Sequence, residues 1–139
     1  MSKTREYLLV FTLGAVMYGL IEIVWRGYTH WSMVLTGGAC FLIIYNIAPL
    51  GFSLVSRALM GAAAITVIEL AVGVTVNMIF KLDVWDYSDR PFNLLGQICP
   101  LYSVYWFLLC LAGMPLCLRL RQKYMRLTFQ SNTAISHMQ

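Results

Sequence analysis

The sequence predicts an all-α membrane protein: a four-transmembrane-helix bundle with a short interfacial or re-entrant helix between the third and fourth spans. Three observations carry this prediction. Of 139 residues, 60% are hydrophobic and only 12% charged, about half the roughly 25% charged share of soluble domains, and the mean hydropathy is +0.71. The apolar residues gather into four runs, each close to the ~20 residues that a helix needs to cross a bilayer. The basic residues flank these runs instead of lining one solvated face, so the formal charge of +4 reflects membrane flanks and not a nucleic-acid surface.

The first span is expected over about 7–25. Its far end, GLIEIVWRG, is bulky and charged and lacks a small-x-small site, which makes it a span and not a cleaved signal peptide. The second is expected over 31–50, the third over 55–80 and the fourth over 101–118, the last with a kink at Pro115. Residues 81–100 form an outer lid segment. Residues 1–126 read as a single polytopic membrane domain, and the remainder, LTFQSNTAISHMQ, as a polar and mobile cytoplasmic tail over 127–139.

Lys and Arg set the orientation. With four crossings, one side carries Lys3, Arg5, Arg57, Arg119, Arg121, Lys123 and Arg126, and the other only Arg26, Lys81 and Arg90. This bias places both termini in the cytoplasm. Trp25, Tyr28, Trp31, Trp85 and Tyr87 then fall at the outer ends, where amphipathic rings form an interfacial belt.

The cysteines point to no disulfide framework. Cys40, Cys110 and Cys117 sit inside apolar runs, where Cys behaves as a small hydrophobe, and only Cys99 lies near an interface. No Cys-x-x-Cys pair occurs, and His30 and His137 are far apart, so neither a metal nor another cofactor is expected. Asp83, Asp86 and Asp89 lack the glycine turn and later glutamate of a calcium loop and read as solvated acids with capping duties.

Ionisable groups within spans are the first candidates for function, because placing them in hydrocarbon is costly. Glu22 stands one turn inside Trp25, with Arg26 at i+4 on the same face. Glu69 lies 11 positions before Phe80, about 16 Å along a helix and so near the bilayer centre. Its face, Ala62, Thr66, Glu69, Gly73 and Asn77, is a stripe of small and polar residues suited to helix–helix contact. Glu69 reads either as a buried packing group or as a solute or proton site. In the connection KLDVWDYSDRPFNLLGQICP, Asp89 and Pro91 suit the start of a short helix over about 90–98 that stops before Pro100. Its amides, Asn93 and Gln97, would face Glu22, Arg26, His30, Asp86 and Arg90, forming a lid over a polar vestibule that also includes Trp85 and Tyr87.

No P-loop, Gly-x-Ser-x-Gly or His-Glu-x-x-His motif occurs. Two stretches, GLIEIVWRGYTHWSM (19–33) and VWDYSDRPFNLLGQIC (84–99), resemble the bacterial family called "Putative ABC-transporter type IV", or CmpB-like, which are small multi-pass membrane proteins. The likeness rests on Glu22, Arg26 and His30 together with the Trp-Asp-Tyr-Ser segment, Asn93 and Gly96, and it covers most of the chain apart from the tail. It implies a protein of the bacterial cytoplasmic membrane linked to transport.

The function expected first is a membrane component of a transport system, working as a homo-oligomer, with another membrane subunit, or with a separate ATPase. No catalytic residue is assigned. One alternative is an intramembrane enzyme, in which Glu22, Glu69 and Asp86 converge on a lipid-like substrate for carboxylate acid/base chemistry. The other is a non-catalytic scaffold whose polar groups only hold the bundle together.

Overall fold

The structure is a computed structural model that describes residues 3–136, with side chains through 130. Four helices lie on the four apolar runs: α1 (Lys3–Arg26), α2 (Trp31–Ile47), α3 (Leu54–Gly73) and α4 (Pro100–Ser136). A π-helical segment, Val74–Ile79, continues α3. The described residues contain no strand, only one isolated bridge between Leu94 and Ile98.

Helix α1, α3 with its π-helical continuation, and α4 are each long and apolar enough to cross a membrane, whereas α2 has 17 residues. Large apolar side chains cover the outside of the bundle, among them Leu8, Val16 and Val24 of α1, Val67 of α3 and Leu108 of α4. An apolar exterior of this extent suits lipid as solvent. The chain is a membrane protein.

Local chemistry sets the helix ends. Gly27, at φ +81°, terminates α1, and its amide donates to the Ile23 carbonyl at 2.8 Å; a left-handed glycine is a common helix stop. His30 caps α2 by accepting from the Ser32 amide at 3.3 Å, and Ser53 caps α3 by accepting from the Ser56 amide at 3.1 Å. The Arg57 guanidinium donates to the Ala48 carbonyl just past α2, where a cation complements the negative end of the helix dipole.

The packing is asymmetric. Helix α2 carries no charged residue and lies at the centre, packed against α1, α3 and α4, as expected for a helix apolar on all sides. Glycines allow close crossings. A Cβ on Gly37 would lie 2.3 Å from the Tyr18 Cβ, and one on Gly14 would lie 2.2 Å from the Phe41 Cβ, so α1 and α2 meet almost backbone to backbone. Between α3 and α4, Gly61 accommodates Cys110, and the hydroxyls of Thr66 and Ser103 are 3.0 Å apart. Val10, Phe41, Ile44, Tyr45, Ile65 and Met114 form the core where these contacts converge. By contrast, α1 makes far less backbone contact with α4 than with α2. All four cysteines are free and buried, including Cys99.

The structure corrects several expectations. The short helix over 90–98 does not form. Phe92 and Leu95 adopt φ of 56° and 54°, outside helical geometry, and local side-chain bonds claim the backbone instead. Asp89 pairs with Arg90 at 3.6 Å and caps nothing. Helix α4 passes through Pro115 and continues to Ser136, past the end of the expected 101–118 span and into the segment expected to be a mobile tail. Beyond Pro115 the chain has no glycine or proline up to residue 136 and is rich in Leu, Arg and other good helix formers, so 127–136 extends the helix. His137 lies outside the described residues. Helix α2 ends at Ile47, and a turn replaces the last positions of the expected 31–50 span.

Candidate functional site

The site lies at the end of the bundle formed by the α1–α2 turn and the connection 80–99, here called the loop end. Its construction begins with the π-helical turn. Wider i→i+5 bonding, such as the Phe80 amide to the Thr75 carbonyl at 3.0 Å, closes the helix, and Asn77 sits on this turn. The Asn77 amide donates to Gln97 Oε1 at 2.7 Å, and its carbonyl oxygen accepts from the Val84 amide at 2.7 Å. One side chain therefore ties α3 to both arms of the connection.

The two arms pair with each other. The Tyr87 amide donates to the Gly96 carbonyl at 2.7 Å, and the Trp85 indole donates to the Gln97 carbonyl at 3.0 Å. Asn93 organises the tip, donating to the carbonyls of Ser88 and Arg90 and accepting from the Gly96 amide at 3.0 Å. Asp86 accepts from the Ser88 hydroxyl and amide, and these bonds hold its carboxyl below the usual carboxylate range. Trp85 and Gln97 are buried against Gly73, where a Cβ would lie 2.6 Å from Gln97 Oε1 and 2.9 Å from the Trp85 ring. A small residue in the α3 stripe thus lets the connection sit on the bundle.

Two carboxylates are buried beneath it. Glu22, 7% exposed, pairs with Arg26 at 2.9 Å and accepts from the Thr29 hydroxyl at 2.8 Å. Arg26 also donates to the Val84 carbonyl at 3.0 Å and lies over the Tyr28 ring, which fastens α1 to the connection. Glu69, 4% exposed, accepts from the Tyr87 hydroxyl at 3.1 Å and the Trp106 indole at 2.8 Å. Burial pushes the Tyr87 phenol up, and Glu69 adds to that shift, so Tyr87 remains a neutral donor.

Two adjoining chambers of about 200 and 340 Å³ open between these groups, sharing Tyr18, Ile21, Met33, Trp85, Trp106 and Leu109. The first reaches Glu69 and extends along α2 and α4 to Leu116; the second holds Glu22, Arg26, Trp25, Tyr87, Tyr102 and Tyr105. The walls are overwhelmingly apolar and aromatic. Both chambers are lined by α1 and α4, and between these helices Tyr18 pairs with Trp106 at 6.0 Å and Trp25 with Tyr105 at 6.2 Å between ring centroids.

Of the ten residues singled out in the sequence, Glu22, Arg26, Glu69, Trp85 and Tyr87 line these chambers. The others have different places. His30 caps α2, Asp86 and Arg90 are exposed on the connection, Asn93 braces its tip, and Gln97 is buried behind Trp85. Sequence reasoning missed Tyr18, Thr29, Tyr102, Tyr105 and Trp106, and read Asn77 only as part of the packing stripe of α3. Trp106 carried a usable signal, since an indole N–H well inside an apolar run needs a buried acceptor. No cluster of His, Cys, Asp or Glu among the described residues is suited to a metal ion.

The family profile described as "Putative ABC-transporter type IV" matches residues 9–138, nearly the whole chain. The chain belongs to that family. No curated protein and no solved structure matches it. The stretches 19–33 and 84–99 that carried the resemblance are those that meet in this CmpB-like protein, where Arg26 bonds to Val84.

Proposed function

We propose that this CmpB-like chain is the solute-binding membrane component of a transport system, a four-span protein of the bacterial cytoplasmic membrane with both termini inside. The two adjoining chambers, one with Glu69 in its wall and the other holding the Glu22–Arg26 pair, are the observation that carries this reading. A ligand there would be largely apolar with a polar end, since a few placed polar groups in an apolar chamber orient such molecules. Family membership and the seven-to-three division of basic residues support the transport role and the sidedness. The chain has no P-loop, so any ATP hydrolysis belongs to a separate ATPase subunit.

The enzyme alternative draws support from the apolar, lipid-facing lining. It needs Asp86 to join the two glutamates, and Asp86 is instead exposed and bonded to Ser88. Transport is therefore the better reading.

A variant that fills the cavity tests it. Gly113 lines the first chamber, and a Cβ there meets only the Ile44 Cγ2 methyl at 3.9 Å. Gly113→Phe is expected to fold, and to lose whatever small molecule native mass spectrometry finds on wild-type protein extracted gently from its own membrane. A wild-type chain that carries no small molecule, or a filled variant that retains it, would refute the proposal.

A further inference from the structure

The two buried glutamates differ in how their charge is met. Glu22 has Arg26 beside it at 2.9 Å. Glu69 has only neutral donors, Tyr87 and Trp106, and both ion pairs among the described residues lie elsewhere. A carboxylate in apolar surroundings must take up a proton or a cation, and two neutral hydrogen bonds do not supply the missing charge.

The surroundings favour one kind of cation. Inorganic ions need several oxygen or nitrogen ligands, and no His, Cys, Asp or Glu cluster among the described residues provides them. The chamber offers aromatic surfaces instead. Tyr18 and Trp106 approach each other at 6.0 Å beside Glu69, and Trp85 completes the wall. Beyond them, Tyr87 stacks on Tyr102 at 4.4 Å, and Tyr102 meets Tyr105 edge-on at 5.6 Å. Aromatic faces attract weakly hydrated cations, and walls of this kind recognise quaternary ammonium groups. Helices α1 and α4 both line the chamber and both carry large exposed apolar side chains on their outer surfaces, which suits a ligand that arrives dissolved in the bilayer. Arg26 adds little repulsion, because Glu22 neutralises it.

We propose that the chamber beside Glu69 binds an apolar organic cation, an amine or onium group carried on hydrophobic substituents, with Glu69 as its counter-ion and Tyr18, Trp85 and Trp106 as its aromatic wall. This rests on reading the cavity as a solute site and names the class of solute.

The test compares two probes of similar aromatic bulk, cationic tetraphenylphosphonium and neutral triphenylphosphine oxide, titrated against the purified full chain in nonionic detergent by calorimetry. Wild-type protein is expected to bind the cation at least tenfold more tightly than the neutral probe. Glu69→Gln should abolish that preference, and Glu69→Asp should retain part of it. Equal affinity for the two probes, or a preference that survives Glu69→Gln, overturns the cation assignment while leaving the cavity a solute site. Binding of neither probe also overturns it, and the Gly113→Phe comparison then judges the solute site separately. Should Glu69→Gln fail to fold, wild-type protein decides the matter. Tetraphenylphosphonium, but not the neutral probe, should protect Glu69 from dicyclohexylcarbodiimide, read by peptide mass spectrometry. Labelling of Glu69 that the cation leaves unchanged, zero labelling included, overturns the proposal.

Discussion

Glu69 accepts from the Trp106 indole, which comes from α4, and from the Tyr87 hydroxyl, which comes from the connection. Three chain segments 18 and 37 positions apart therefore meet at one carboxylate. Trp106→Phe keeps the ring but removes the donor. It should destabilise the protein by about 1–3 kcal/mol, the usual cost of leaving a buried polar group short of a partner, measured by reversible unfolding in detergent. Arg26 is expected to matter more. Arg26→Met strands the Glu22 charge beneath the connection, and breaking a buried pair from one side costs about 3–5 kcal/mol. The double variant Glu22→Gln, Arg26→Met should recover most of that loss. The i,i+4 spacing made the Glu22–Arg26 pair legible in the sequence. Thr29 was not, because it reaches Glu22 only after Gly27 turns the chain back.

At the scale of elements, the helices follow from long apolar runs, whereas their contacts depend on where small residues happen to face. The stripe Ala62, Thr66, Glu69, Gly73 and Asn77 was readable as a packing face. Its use is internal: Thr66 meets Ser103 of α4, Gly73 seats Trp85 and Gln97, and Asn77 anchors the connection. That face is therefore filled within the chain. The α1–α2 crossing is the tightest. Gly37→Leu would force its side chain into the Tyr18 Cβ, and overpacking of this kind costs about 1–3 kcal/mol or more. Thermal unfolding should show a clear drop, with Gly51→Ala as the control, because a Cβ at Gly51 meets nothing within 4 Å. The connection resisted reading for a physical reason. Asp89 and Pro91 are sound helix-start signals, but Asn93 and Asp86 satisfy nearby backbone groups in turns, and once the Trp85 and Gln97 side chains are buried the segment cannot also form a helix.

In the whole molecule, α2 is the centre and the α1–α4 seam is the weak side. Helix α1 is held at the loop end by Arg26 on Val84, and at the opposite end by the Tyr45 hydroxyl on Glu6, with Arg121 of α4 lying over the Tyr45 ring at 4.7 Å. Between those ties two aromatic pairs, Tyr18 with Trp106 and Trp25 with Tyr105, join α1 to α4, without a polar clasp among the described residues. The seam is therefore expected to vary in width. Spin labels at exposed positions Val24 of α1 and Leu108 of α4 should give a broader distance distribution than labels at Val67 of α3 and Leu108. Equal widths would mean a closed, rigid bundle without a lateral opening. An apolar organic cation bound beside Glu69 should narrow the first distribution and leave the second unchanged.

Composition and the long apolar runs by themselves determined that this is a helical membrane protein, that a long helix lies on each of the four runs, and that Glu22 and Glu69 are carboxylates placed within them. These properties depend on the free energy of placing each side chain in lipid, which is local and nearly additive along the chain. Only the tertiary structure decided that Glu69 has neutral partners while Glu22 has an arginine, that His30, Asp86, Arg90 and Asn93 stand away from the cavity, and that α1 and α4 line chambers walled by rings. Each of those depends on distances between residues far apart in sequence. Those distances are set by glycine crossings of a few ångströms and by one π-helical turn, neither of which has a periodicity to read.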